Sequence, residues 1–409
     1  MNNWAPFEWT AAIRFLKEGR TQTMFIIIGI AIGVAVIVFM SALLTALQTS
    51  FISRVLTSQP HIQIMPQDEA ARALRPFEAG VEALGVVQRP AQRLRSIDQW
   101  QSIARELKAR ADVAEVSATI SASALALRGD TTQSIALTGI DADSYFRIVK
   151  IPDYITLGVP TLGSENIIIG SELAKNLGVT VGDKFNVTGA NNAARSLTVS
   201  AIFDLGNRGA NERTAFVALR TAQTLASLAG GVTAINVNVR DAYAAQTIAA
   251  SVEAATGERA DSWIKTNADF FVAVSSQEIS FGIIEGFVAL SVAFGIASVM
   301  VVSVIQRSKE IGILRAMGTS QRQILAVFLV QGAVLGFFGS LAGSVLGGAA
   351  FVVFHSLVRQ SDGREIFPFL LQPALFGIAI LLAITTGVAA AAMPAVRAAR
   401  LDPVVAMRG

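Results

Sequence analysis

The 409-residue sequence has no cysteine and only two histidines. Without cysteine there is neither a disulfide framework nor a thiolate metal site. His61 and His355 are far apart in sequence, so neither a zinc site nor a histidine-based catalytic triad is expected. Charged residues are scarce, at 15% of the chain against about 25% in a soluble domain. Hydrophobic residues make up 52%. This is the composition of a membrane protein with a substantial soluble part. The net charge of +3 is too small to point to nucleic acid, and the placement of the charges carries more than their sum. The phosphate-loop spacing G-x-x-x-x-G-K-[ST] does not occur, since GSELAKN and GTSQRQ lack it. The chain by itself is therefore not expected to bind ATP in that manner. Its carboxylates show no spacing that singles out an acid–base pair. No catalytic residue, metal or cofactor is expected in this chain.

What is present is a set of four apolar runs, each close to the roughly 20 residues that span a bilayer. They are 24–47, 279–305, 324–354 and 371–396, and the only charge within them is Glu285. The first run is longer than the roughly 7–15 residues of a signal-peptide core, so it reads as a retained anchor. Arg14, Lys17 and Arg20 precede span 1. Arg307, Lys309, Arg315 and Arg322 lie between spans 2 and 3, and Arg397, Arg400 and Arg408 follow span 4. With four spans, all three basic clusters fall on one side, which the positive-inside rule makes cytoplasmic. The segments 1–23, 306–323 and 397–409, including both termini, are then cytoplasmic, and 48–278 and the loop 355–370 lie outside. Span 3 carries Gly332, Gly336, Gly339, Gly343 and Gly347, a spacing that lets helix backbones approach closely. Ordinary helix packing and a subunit interface both fit this ladder.

The outside segment reads as one α+β domain. SIDQWQSIARELKAR starts with a capping-box pattern, Ser96 and Gln99, for a helix. VAEVSATI, SIALTGI, SLTVSAIFDL, RTAFVAL and AINVNVR read as strands. SENIIIGSELAKNLGVTVGDKFNVTG reads strand, helix, turn, strand, and DAYAAQTIAASVEAAT reads as a helix. Residues 75–95 have weak periodicity and read as a loop or an insertion. DSYFRIVKIPDY sets aromatics near charges, as in a surface loop or a partner contact. The fold class expected is thus four transmembrane helices with a large α+β extracytoplasmic domain inserted between spans 1 and 2.

Between spans 2 and 3 the chain reads QRSKEIGILRAMGTSQRQI, far more structured than a connector requires. Ser308 is placed to cap a short helix, Glu310 suits its positive end, and Gly318 suits a left-handed stop. Ile311 and Leu314 share one face, which Ile313 and Met317 extend. Such a helix could transmit force to a partner or lie on lipid headgroups.

This stretch resembles the signature of the FtsX/MacB-type ABC permeases, also called type VII ABC transporters, which carry a run similar to KEIGILRAMGAS at this place. The C-terminal PAVRAARLDPVVAMRG is similar to their end, and the four-span order matches. Within that family the outside domain looks most like the lipoprotein-releasing LolC/LolE branch. PFEWTAAIRFLKEGRTQT resembles its amphipathic N-terminal helix, IIIGSELAKNLGVTVGDKFNV and VSAIFDLG resemble two of its strand motifs, and SWIKTNADFF resembles its approach to span 2. One feature departs: the long hook by which LolC recruits the chaperone LolA is here only TGANNAARS.

The resemblance implies an inner-membrane permease subunit that pairs with a second permease subunit, identical or related. ATP and Mg are expected on a separate cytoplasmic ABC ATPase dimer. It implies a coupling helix, with Ser308, Lys309, Glu310, Ile311, Gly312, Leu314, Arg315, Met317 and Gly318 as ATPase-coupling residues. Glu310 and Arg315 would make charged contacts, and Ile311 and Leu314 would fill a groove on the ATPase. The expected cargo cavity is built from Met40, Leu43, Leu44, Leu47, Phe51, Phe281, Ile284, Glu285, Phe287 and Val288, although lipid-facing or packing roles fit these residues equally. The implied function is extraction of lipoproteins or lipid-like cargo. The alternatives are efflux of an amphiphile or peptide through an adaptor, and FtsX-like activation of a periplasmic hydrolase. A periplasmic chaperone or adaptor and membrane lipid are the further partners expected.

Overall fold

The computed structural model describes residues 7–67, 72–73, 87–88, 94–358, 369 and 372–401. Most of the expected insertion at 75–95, most of the loop at 355–370 and the tail beyond residue 401 lie outside the described residues. The chain forms two compact units: Met1–Ile52 with Val272–Gly409, and Ser53–Phe271.

The first unit begins with α1 (Phe7–Glu18) and α2 (Arg20–Ser58). Helix α2 has 39 residues and is therefore about 58 Å long at 1.5 Å per residue. That is roughly twice the hydrocarbon thickness of a bilayer. The expected span 24–47 is only its middle, which is why the second unit starts at Ser53 rather than at 48.

The second unit starts with β1 (Ile62–Met65), the two-residue strands β2 (Arg72–Ala73) and β3 (Val87–Gln88), and α3 (Trp100–Ala109). It continues with β4 (Val113–Arg128), β5 (Thr131–Ile140), α4 (Ala142–Ile148), β6 (Ile155–Gly158), β7 (Asn166–Gly170) and α5 (Ser171–Leu177). Then follow β8 (Lys184–Thr188), β9 (Ala194–Phe203), α6 (Arg208–Arg213), β10 (Thr214–Ala218), α7 (Leu219–Leu225) and β11 (Ala234–Val239). It ends with α8 (Ala245–Thr256), β12 (Arg259–Ser262) and α9 (Trp263–Thr266).

Ten of these strands form one mixed sheet in the order β12-β1-β11-β4-β5-β10-β7-β9-β6, with β8 joining β4 to β9. That junction closes six strands into a ring, β4-β5-β10-β7-β9-β8 and back to β4. Strand β4 makes this possible by its length. Its first half pairs with β11, and Leu125–Leu127 pair with β8. Two-residue turn chemistry sets its hairpin with β5: Gly129 at φ +55° lets Arg128 face Thr131 directly. The β8–β9 connection is equally tight, with Gly189 N–H donating to Ala193 O at 2.8 Å. TGANNAARS is thus a hairpin end.

Two expectations for this unit are corrected. Ser96 does not cap α3, whose N-cap is Gln99 with no side-chain bond; the Ser96 hydroxyl instead donates to Asp98 Oδ1 at 2.6 Å. DSYFRIVKIPDY is not an irregular surface loop. Its first six residues lie in α4 and its last four form a 3-10 turn, with Ile148, Val149 and Ile151 buried against Phe203 and Phe216. The Tyr145 ring packs there too, and burial pushes its pKa up to about 12.

The chain returns to the first unit through α10 (Ala268–Gln306), α11 (Ser308–Ala316), α12 (Gln321–Leu357) and α13 (Pro373–Ala399). Helices α2, α10, α12 and α13 are the four helices among the described residues that are long and apolar enough to cross a membrane. Helix α12 is the centre: half of its apolar window is buried, against 28% for α2, 22% for α13 and 17% for α10. It begins with a full capping box, Ser320 with Gln323, a pattern legible in GTSQRQ but not anticipated.

The glycine ladder explains how α12 takes that position. Added Cβ atoms on Gly332 and Gly336 would strike the backbone of Gly387 and Ala383 in α13. On Gly339, Gly343 and Gly347 they would strike Ile30, Ala31, Val34, Ala35 and Val38 in α2. The ladder is two faces on one helix, each used for packing within this chain.

Candidate functional site

The charged connector forms α11, and its helix stop is as expected. Gly318, at φ +102°, donates to Arg315 O, while Thr319 donates to Leu314 O, each at 3.1 Å. Together these make a Schellman cap. The start differs: Arg307 is the N-cap residue and Ser308 is already the first helical residue, with no side-chain cap.

The faces of α11 are divided differently from the sequence expectation. Ile311 is completely buried and Gly312 is buried beside it. Leu314 packs on the same core, which includes Ile324, Phe328 and Ala398. Residues 311 and 314 therefore hold the helix onto its own bundle, and Ile311 has no surface left to offer a partner. Arg315 is also turned inward, donating to Ala399 O at 2.6 Å and Leu401 O at 3.3 Å, so that its charge sits at the C-terminal end of α13. Ile313 and Met317 do not extend the Ile311 face. They lie on the opposite side, 49% and 72% exposed, with Lys309 and Glu310 also exposed. At 100° per residue, positions 311 and 313 are about 200° apart, which is the physical reason for the split. The outward face is Lys309, Glu310, Ile313, Ala316 and Met317.

Arg307, which no sequence signal singled out, fixes the start of α11. It donates to Glu18 Oε2 at 2.8 Å and to Phe15 O at 2.9 Å, and its guanidinium lies 4.5 Å from the Phe15 ring centroid. Arg14 holds Glu18 from the other side at 3.0 Å. These hydrogen bonds, Arg14 first and then Arg307, draw the Glu18 carboxyl below the usual range. Helix α1 is further bound to α12 by fully buried Ala12, whose carbonyl accepts from Gln331 Nε2 at 3.5 Å. The first helix, the connector helix and the end of α13 are thus one latch at one end of the bundle.

The ten expected cargo residues do not converge on one cavity. Glu285 and Val288 line a small groove of about 90 Å³ between α2, α10 and α13, with Ser41 and Thr386 as its other polar side chains. Gly33 brings α2 close here, since a Cβ on it would touch Val288 at 3.0 Å. Leu43 faces elsewhere, packing on Ala42, Ala46 and Phe351. Leu47, Ile284 and Phe287 are exposed, and Met40, Leu44, Phe51 and Phe281 are half-buried outside the groove. Neighbouring positions on a helix point in different directions, so a span-end list mixes several faces. No group of histidine and carboxylate residues able to hold a metal occurs among the described residues.

Residues 23–255 match the MacB-like periplasmic core domain, and residues 282–403 match the FtsX-like permease C-terminal domain. The chain belongs to the FtsX/MacB-type ABC transporter permeases. Its relatives include the lipoprotein-releasing system transmembrane protein LolC of Xylella fastidiosa (strain Temecula1), 26% identical over 310 residues, 69% of this chain and 75% of that protein. The macrolide export ATP-binding/permease protein MacB of Hyphomonas neptunium is 32% identical over 151 residues, covering 36% and 22%. The periplasmic region of MacB from Actinobacillus actinomycetemcomitans overlays 53% of this chain and 94% of its own length at 12% identity, with a TM-score of 0.35. An ABC permease implies an ATPase partner, and the FtsX-like match contains the whole of α11 and α12.

Proposed function

We propose that this permease extracts lipoproteins or lipid-like cargo from the outer leaflet of the bacterial inner membrane, driven by a separate cytoplasmic ATPase. The observation that carries this reading is the alignment with LolC, which runs across most of both chains. The MacB alignment is higher in identity but confined to about a third of this chain. It favours a second reading, adaptor-dependent efflux of an amphiphile. Signalling to a periplasmic hydrolase is the third reading, and no observation favours it.

In this reading both termini and α11 are cytoplasmic, as the basic flanks require. The exposed residues Lys309, Glu310, Ile313 and Met317 meet the ATPase. The rigid latch of α1, α11 and the end of α13 passes ATPase movement to α2 and α10, which run unbroken well beyond a bilayer thickness. A second permease subunit, identical or related, pairs with the chain within the membrane. Glu285, beside Val288 in the groove, gives the apolar spans a charged contact for cargo. The short β8–β9 hairpin provides no extended chaperone hook, so any chaperone would be held by the second subunit.

The test is to crosslink the tagged protein in its native membrane and identify what is captured. An ATPase together with acylated lipoproteins or their chaperone is expected. An ATPase with a membrane-fusion adaptor would replace the extraction reading with efflux, and a peptidoglycan hydrolase would replace it with signalling.

A further inference from the structure

Helices α1 and α2 are separated by the single residue Gly19, the elbow of this unit, and α1 packs on α12 through Ala12 and Gln331. Between them is a groove of about 790 Å³, within the range of roughly 300–1,000 Å³ typical of small-molecule sites. Trp9, Leu16, Met24, Ile27 and Phe338 supply apolar walls. At the elbow the lining changes to Lys17 and Arg20, both exposed. Among the described residues neither has a carboxylate partner; Arg20 Nε donates to Lys17 O at 3.2 Å. The nearest acid in sequence, Glu18, is already held by Arg14 and Arg307. Thr23, the other polar side chain of the lining, donates its hydroxyl back to Leu16 O at 3.1 Å. One end of the groove therefore carries two uncompensated positive charges, and the rest is hydrocarbon.

We propose that the groove holds an acyl chain of an anionic glycerophospholipid, with the phosphate on Lys17 and Arg20. The position selects lipid over a protein segment: the groove opens where span 1 meets the membrane surface, so lipid tails reach it without leaving the bilayer. The charge selects the headgroup, because basic side chains just outside a span attract anionic lipid. The bound lipid would brace the elbow that joins the latch to span 1. This inference does not depend on which cargo the permease carries.

Trp9 in the groove wall is a built-in reporter. The full chain would be placed in phosphatidylcholine nanodiscs containing a small fraction of either phosphatidylglycerol or phosphatidylcholine with brominated acyl chains. Trp9→Phe supplies the background from the other tryptophans. We expect brominated phosphatidylglycerol to quench the Trp9 signal at a mole fraction at least about tenfold lower than brominated phosphatidylcholine, since two cations near a membrane each favour anionic lipid several-fold. Lys17→Gln with Arg20→Gln should equalise the two lipids, and so should high ionic strength in the unaltered protein, a control that needs no refolding. Equal quenching by both lipids in the unaltered protein would reduce the groove to ordinary bilayer-facing surface and overturn the proposal. A preference that survives both the substitutions and the salt would also overturn it, as would a Trp9 signal that neither lipid quenches.

Discussion

Gly343→Leu is expected to be the most damaging single substitution in the membrane unit. A Cβ there would lie 2.6 Å from the carbonyl oxygen of Ala31 and 2.7 Å from Val34 Cβ, and α2 backbone cannot swing aside as a side chain can. Overpacking a close-packed contact costs about 1–3 kcal/mol and more where backbones must part. The leucine branch adds to the clash of the Cβ, and Gly339 and Gly347 hold α2 close on either side. A fall of many degrees in the unfolding temperature of the detergent-solubilised protein is expected. Gly286→Ala is the control. Nothing lies within 4 Å of its added Cβ, and replacing an exposed helical glycine gains up to about 1 kcal/mol. The two glycines should therefore move stability in opposite directions. If Gly343→Leu melts with the unaltered protein, the close approach of α12 to α2 is not what holds the unit together, and a subunit interface becomes the better account of the ladder.

Ile313→Asp combined with Met317→Asp should abolish stimulation of the partner ATPase while leaving the permease folded. Both side chains are exposed on the outward face of α11, so a carboxylate there is solvated in the free protein. In the complex it would be desolvated at the centre of the contact. Losing an interface anchor typically costs 2 kcal/mol or more, roughly thirtyfold in affinity. Ile311→Asp should behave differently, because Ile311 has no exposed surface. A charge there should lower the unfolding temperature of the isolated permease. Arg315→Glu belongs with Ile311→Asp, since its guanidinium is bonded to Ala399 O and Leu401 O and a carboxylate would face two carbonyl oxygens. The distinguishing measurement is ATPase activity against permease melting temperature for each variant. Retained stimulation by the Ile313/Met317 pair would place the ATPase contact elsewhere.

The legible parts of this structure are those whose signal is local. Four apolar runs gave four helices, and the alternation in AINVNV and the isoleucines of NIIIG gave strands. The G in RAMGTS gave the helix stop at Gly318. Three features could not be read in the same way. The ends of α2 and α10 were missed because a helix that leaves the membrane keeps its hydrogen bonds while losing its hydropathy. The ring closure depends on β4 running to Arg128 and meeting β8 nearly sixty residues later, a pairing no window contains. The role of Arg307 depends on Phe15 and Glu18 almost 300 residues away, so in sequence it is one basic residue among several. The candidate coupling face was half legible. The motif marked the right helix, but the motif includes both the residues that bind α11 to its own bundle and those left outside. Helical periodicity separates Ile311 from Ile313, and only tertiary packing decides which of the two faces inward.

The central claim is that this permease moves acylated cargo at the expense of ATP on a separate subunit. The most direct measurement reconstitutes the permease and its ATPase in proteoliposomes with an acylated lipoprotein and with the same protein lacking its acyl chains. The account predicts ATP-dependent release of the acylated form into a soluble acceptor, with the unacylated protein neither retained nor stimulating hydrolysis. ATP hydrolysis that proceeds with no lipoprotein released, or that responds instead to a soluble amphiphile, would contradict it.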